Sequence, residues 1–262
     1  DDGGWMLDDT RTEKILDTIR KKGTPLEEYV MGEIGTGTHT GRDNPLVVDR
    51  DTRNRLTKNA WWARRFFVPL LFPAEIRRYV PEKSSRFVIT GTGSRRIRKC
   101  RALVKYLEAG TERADRESGQ RAGHDEQDRA PQHSQDNFLA EKPVQKIIFA
   151  SFQHSPAFCL DHKGTYAMTS ALSAILRNDP FLLAILNSAL GRFVITHTCP
   201  YTDTGYQLSP AALGKFPVFV PDFEKFSDKK RYEKIIVQVR QMISLSEYLP
   251  NTKTDQECRL VQ

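Results

Sequence analysis

The nonapeptide E-I-G-T-G-T-H-T-G, Glu33 to Gly41, decides how this chain is read. An acidic residue two positions ahead of a G-x-G is how many S-adenosylmethionine (SAM) cofactor loops begin. Such a loop needs a strand before it and a helix aligned behind it. Here Gly41 is followed by R-D-N-P-L-V-V-D, in which Pro45 and the β-branched pair Val47-Val48 predict a strand instead. The nonapeptide therefore reads as a glycine-rich turn between two extended stretches, Glu28–Ile34 and Pro45–Asp49.

A second glycine loop, V-I-T-G-T-G-S-R-R from Val88 to Arg96, follows the strand-like R-F-V-I-T (Arg86 to Thr90) and precedes a helix predicted to end near Leu107. Its third glycine position holds Arg96, and no acidic residue in a strand follows about twenty positions on, as a dinucleotide fingerprint requires. A divergent SAM-dependent methyltransferase using Gly91 and Gly93 stays open as an alternative. Other chemistries find less text. N-D-P-F, Asn178 to Phe181, lacks the second proline of an amino-methyltransferase tetrapeptide and reads better as a helix start. P-D-F-E-K from Pro221 crowds its carboxylates and lysine into five positions, where one strand would send them to opposite faces. No Ser, Cys or His has the sequence context of a nucleophile. Cys100, Cys159, Cys199 and Cys258 are far apart with no C-x-x-C, so they are expected to be reduced thiols, and His197 with Cys199 is only half a zinc site.

Charge is more informative. Of the net +7, the segment Arg42 to Ala109 carries 17 basic and 6 acidic residues, net +11, against 5 and 9 before it and 18 and 18 after it. A concentrated excess of Arg and Lys is the footprint of a nucleic-acid surface. A basic adaptor for protein or RNA is the competing class. The longest apolar run, around Phe181 to Leu186, is too short to span a bilayer, and the N-terminal D-D-G-G-W-M-L-D-D is unlike a signal peptide, so no membrane association and a cytoplasmic, prokaryotic location are expected.

Along the chain, Thr10–Lys22 predicts a helix with Ile15, Leu16 and Ile19 on one face, stopped by Gly23 and Pro25. Glu108 to Asn137 has no apolar residue but alanine and cannot bury anything, so a polar, mobile excursion over 108–142 is expected. V-Q-K-I-I-F-A-S-F from Val144 and P-A-F-C-L-D with its D-H-K-G turn predict strands. Asp179-Pro180 and Ser209-Pro210 are N-cap and first-turn pairs for helices. Ser227 or Asp228 would cap a last helix with a stripe of Tyr232, Ile235, Ile236, Val239, Met242 and Ile243.

Read in order, several pieces resemble the C-terminal target-recognition domain of TaqI-like type II restriction-modification enzymes and adenine-N6 DNA methyltransferases. They are Trp5 with the helix to Lys22 and Pro25-Leu26, G-T-H-T-G-R-D-N-P-L-V-V-D from Gly37, P-L-L at Pro69 with I-R-R-Y at Ile76, K-I-I-F-A-S-F, the turn at Gly164, L-L-A-I-L-N-S-A-L from Leu182, and K-F-P-V-F-V-P. After P-L-L the chain has F-P-A-E where the family favours a Gly-Arg-Asp-like loop.

The resemblance implies an α+β fold, a mixed, curled β-sheet with flanking helices and a C-terminal helical stem. It places a DNA target-recognition domain at 1–226 and a truncated stem at 227–262. Its partners would be double-stranded DNA and the methyltransferase or nuclease domains of a longer parent, with SAM and Mg²⁺ needed only in those absent parts and no catalytic residue in this chain. The candidate DNA contacts are Thr38, His39, Thr40 and Arg42, then Arg77 and Arg78, then Arg95, Arg96, Arg98 and Lys99. Of the I-R-R-Y pair, Arg77 is expected to face DNA if Ile76 is core.

Overall fold

The computed structural model describes residues 10–37, 44–120, with side chains to 110, and 144–248. It is an α+β structure of eight helices and thirteen short strands among these residues. The candidate contacts Thr38, His39, Thr40 and Arg42 lie outside the described residues, as do the excursion beyond Gln120 and the end of the stem.

Helix α1, Thr10–Lys22, has the predicted bounds, but only Leu16 is buried and Ile19 packs on the core, while Ile15 is 44% exposed. The three do not share one buried face. Strand β1, Thr24–Pro25, leads into a one-turn helix α2, Leu26–Tyr29, where an extended stretch was expected from Glu28. The chain then turns through Met31 and Gly32, both at positive φ, into β2, Ile34–Thr36.

The basic segment follows as β3, Val47–Asp49, helix α3, Arg50–Thr57, and a 3₁₀ helix, Trp61–Phe66. It continues with β4, Phe67–Leu71, a 3₁₀ turn at Pro73–Glu75, β5, Arg86–Ile89, a 3₁₀ turn at Ile97–Lys99, and helix α4, Arg101–Gln120. Helix α4 runs past the expected end near Leu107 and through the first part of the supposed excursion, where alanine and straight-chain residues are good helix formers.

Strands β6, Lys146–Ala150, β7, Phe152–Gln153, β8, Phe158–Asp161, β9, Ala167–Met168, and β10, Leu172–Ile175, come next. Two helices follow, α5, Pro180–Asn187, and α6, Ala189–Thr198. The helix that Asp179-Pro180 starts ends at Ser188, which also caps the next one. The chain closes with β11, Tyr201–Thr202, β12, Gly205–Gln207, α7, Pro210–Gly214, β13, Pro217–Val218, and the long α8, Phe226–Tyr248. Asp179 and Ser209 cap α5 and α7 as predicted, accepting from the Leu182 and Ala212 amides. Helix α8 begins at Phe226, which puts Ser227 and Asp228 inside its first turn.

The larger core surrounds a four-stranded antiparallel sheet ordered β2-β10-β6-β8. Its two-residue alternation sends Ile147, Phe149, Phe158, Leu160 and Ile175 to one side, under α5, α6 and α8, and Ile148, Ala150, Cys159, Leu172 and Ala174 to the other, against Leu71 and Ile76. Both faces of this sheet are therefore covered, and each fully buried Ile or Phe contributes about 1.5–3 kcal/mol of transfer free energy. Helix α8 joins this core through Val239, with Ile235 and Ile243 packed beside it and the Tyr232 ring 5.0 Å from that of Phe181, while Met242 is exposed.

The basic segment builds a second core of its own from Val48, Leu56, Ala63, Phe66, Phe67, Phe87, Ile89, Ile97, Cys100 and Leu103. Its sheet runs β3-β5-β4-β9 and is mixed, because β4 pairs in parallel with β9 through Leu70–Ala167 and Leu71–Met168. That pairing stitches the two cores together. The remaining strands form a β1-β13 pair and a β11-β12-β7 sheet.

Candidate nucleic-acid interface

Strand β2 answers what the first glycine-rich stretch does. It pairs antiparallel with β10, and the Gly37 amide donates to the Leu172 carbonyl at 2.9 Å. A Cβ on Gly37 would run into the Thr169 carbonyl oxygen, so this glycine permits two backbones to touch. Nothing lies within 4 Å of the place a Cβ on Gly35 would occupy. At the second loop Gly91 holds φ +66°, a conformation that glycine adopts freely, while Gly93 has open space. Strand β5 ahead of it pairs antiparallel with both β3 and β4, and a 3₁₀ turn separates the loop from α4. This is unlike the parallel strand-loop-helix unit of a SAM or dinucleotide site.

Around the second core the sequence places its aliphatic and aromatic residues inward and leaves the cations out. Asp49 caps α3 by accepting from the Thr52 amide at 2.7 Å, and those bonds hold its carboxyl below the usual range. From that helix Arg53 turns inward and lays its guanidinium 4.3 Å over the Phe87 ring. Its buried Nε has no hydrogen-bond partner among the described residues. Burial, then repulsion from Arg64 and Arg50, lowers its pKa below the ordinary guanidinium value. Positive charge here is dense enough for its members to repel one another.

Two 3₁₀ turns shape the surface. In such a turn residues three apart eclipse, so each turn presents an i, i+3 pair on one side. Trp61–Phe66 presents Trp62 with Arg65, and the second turn presents Arg96 with Lys99, whose amide donates to the Arg96 carbonyl at 3.1 Å. The four side chains line one shallow cleft of 350 Å³. Phe66 stands edge-on to the Trp62 ring at 6.4 Å and 83°, and Arg65 Nε donates to the Trp62 carbonyl at 3.0 Å. Buried Ile97 and Cys100 anchor the second turn from beneath, leaving Arg95, Arg96, Arg98 and Lys99 exposed. Among the described residues none of these four, nor Arg65, has an ion-pair partner. The predicted Arg96 and Lys99 are thus brought together with Trp62 and Arg65, which sequence reasoning did not select. Their i, i+3 spacing was the available signal.

Arg77 and Arg78 lie elsewhere, beside the larger core. Ile76 is buried as expected, but Arg77 is held by the protein itself, pairing with Glu82 at 2.9 Å and donating to the Ala74 and Ile76 carbonyls. Arg78 is exposed with no such partner among the described residues. The expectation that Arg77 faces DNA is thus not supported, and the segment is not a regular strand: Tyr79 sits at φ 72° with the Val80 amide donating to the Arg78 carbonyl, a strained three-residue turn. The Tyr79 backbone instead exchanges bonds with β8, to the Phe158 carbonyl and from the Leu160 amide, each 2.9 Å.

The Leu-Asn-Ser element is structural as well. Asn187 is 5% exposed; its side-chain amide accepts from the Phe158 N–H at 3.1 Å and donates to the Phe158 carbonyl at 2.9 Å. It acts as a short extra strand on the edge of β8. Ser188 then caps α6 by accepting from the Gly191 amide at 2.9 Å.

Among the described residues no group of three or more His, Cys, Asp or Glu could hold a metal ion, and no single helix is long and apolar enough to cross a membrane. No protein-family model matches the chain, and no curated protein matches it in sequence. Solved structures do resemble it, among them two restriction-modification enzymes. One is the type IIL restriction-modification enzyme MmeI in complex with DNA, with 11% identity and a TM-score of 0.52 over 86% of this chain and 29% of that one. The other is the type IIG restriction endonuclease BpuSI, with 12% identity and a TM-score of 0.50 over 88% of this chain and 28% of that one. The chain spans less than a third of either enzyme, and its fold is one found within restriction-modification enzymes.

Proposed function

We propose that this chain is a sequence-specific DNA target-recognition domain of a restriction-modification enzyme, of the TaqI-like specificity kind, acting in the cytoplasm. It would direct adenine methylation, with or without cleavage, by catalytic domains elsewhere in the parent. The observation that carries this reading is the exposed, unpaired cation cluster of the second core, which a single contiguous segment of net +11 supplies. Unpaired surface cations attract phosphates, and Arg side chains among them suit bidentate contact to guanine. The likeness to MmeI, solved with DNA bound, supports the same direction at the level of fold.

The test is fluorescence anisotropy with labelled duplex DNA across salt concentrations. If four cations each neutralise a phosphate, log K falls against log salt with a slope of about −3.6, or roughly 150-fold between 50 and 200 mM. A flat response would favour a protein-binding adaptor, and preference for RNA over duplex DNA would favour an RNA-binding one. Micromolar SAM binding by the isolated chain would overturn its assignment as a domain without catalytic parts.

A further inference from the structure

We infer that the Trp62 cleft holds one unpaired nucleotide of a DNA strand, its base against the Trp62 ring and its phosphate on Arg65, Arg96 and Lys99. The inference rests on the DNA-binding reading for the source of the nucleotide and on the cleft itself for everything else. A cleft of 350 Å³ is at the small end of ligand pockets and takes one flat group, whereas a duplex can only lie across it. Phosphate binding alone asks for no indole in the wall. This wall has one, held by the edge-on Phe66 ring and by packing against the second core.

The cations are arranged to suit the same ligand. Arg65 is pinned through Nε, which leaves its terminal nitrogens to donate. Arg96 and Lys99 come from the facing turn and eclipse one another, so three cationic side chains line the cleft from two sides. None has an ion-pair partner among the described residues, so a phosphate entering the cleft displaces no internal ion pair. Stacking on an aromatic face tolerates any base, so the cleft grips a nucleotide without reading which one it is.

The experiment compares a short labelled duplex with the same duplex carrying one unpaired 2-aminopurine, using the whole chain. Expected are tighter binding of the bulged duplex, quenching of 2-aminopurine fluorescence on binding, and a roughly fivefold or greater loss of the bulge preference in Trp62→Ala, with Trp62→Tyr restoring it. Arg96→Ala combined with Lys99→Ala should weaken both probes. The quenching measurement uses unmodified protein, so it decides the matter even if Trp62→Ala fails to fold. Equal binding of both probes with no quenching overturns the inference and leaves the DNA-binding reading intact, whereas no binding of either probe overturns both. Competition by free dAMP without any preference for the bulge overturns DNA as the source.

Discussion

Replacing Asn187 tests whether the Leu-Asn-Ser element is a clamp on β8. Two hydrogen bonds tie its amide to the N–H and carbonyl of Phe158, and both residues are buried. Asn187→Ala leaves the buried Phe158 N–H without its partner, costing about 1–3 kcal/mol, while the Phe158 carbonyl keeps its bond from the Tyr79 amide and removal of the side chain opens space at the α5–β8 contact. A loss of roughly 1–4 kcal/mol is therefore expected, measured as a lower urea midpoint by circular dichroism with an unchanged slope.

Asn187→Asp separates hydrogen bonding from packing. A carboxylate can still accept from the Phe158 N–H, but it faces the Phe158 carbonyl with a second acceptor. Burial and that carbonyl would raise its folded pKa above the unfolded value of about 3.9. A group with a raised folded pKa contributes its stability below the unfolded pKa and loses it as pH rises through the folded one. Relative to the unmodified protein, Asn187→Asp should therefore recover stability on acidification, where the protonated carboxyl donates to the carbonyl. A change under 0.5 kcal/mol for Asn187→Ala, or no pH-dependent difference for Asn187→Asp, would refute the clamp.

Gly37→Ala should destabilise the fold because its methyl group meets the Thr169 carbonyl, whereas Gly35→Ala, with nothing within 4 Å, should be close to neutral; thermal melts of the two compare them directly. The thiol of Cys159 is pushed up by burial first and by the Asp161 charge second. Its stabilising contribution is full below the unfolded thiol value of about 8.5 and shrinks as pH rises beyond it, so urea midpoints should drop from pH 7.5 to pH 10, and by less in Cys159→Ala measured against its own pH 7.5 value. Under the DNA-binding reading, Arg78→Ala should weaken duplex binding more than Arg77→Ala, because Glu82 and two carbonyls already occupy Arg77; equal losses in anisotropy would contradict that ranking.

Local chemistry made parts of this fold readable. Asp179-Pro180 and Ser209-Pro210 carry their caps in the text, and the β-branched K-I-I-F-A could bury both faces only as an inner strand. Helix α3 escaped because its one strongly apolar residue is Leu56 and the Val47-Val48 pair drew the reading toward a strand, although Asp49 was already an N-cap signal. Nothing in I-R-R-Y announces a tyrosine at positive φ, since that conformation is imposed by bonds to β8, eighty residues away in sequence. Composition located the basic surface, but its cleft depends on two 3₁₀ turns meeting through the second core. Pairing of that kind is tertiary, and no single window of sequence contains it.

The order β2-β10-β6-β8 also sets a schedule for folding. Thr36 pairs with Ser173, 137 positions later (173 − 36), whereas the second core draws its residues from Val48 to Leu103 alone. At 5–20 residues per second of synthesis, β2 waits roughly 7 to 27 s for its partner strand to be made. The basic unit can close its short loops during that interval, and the larger sheet, with its costlier loop, closes last. Until β10 arrives, β2 offers unpaired backbone groups to any other nascent strand. Brevity limits that hazard, since β2 has only three residues, two of them Gly35 and Thr36, and little apolar surface to hold a wrong partner.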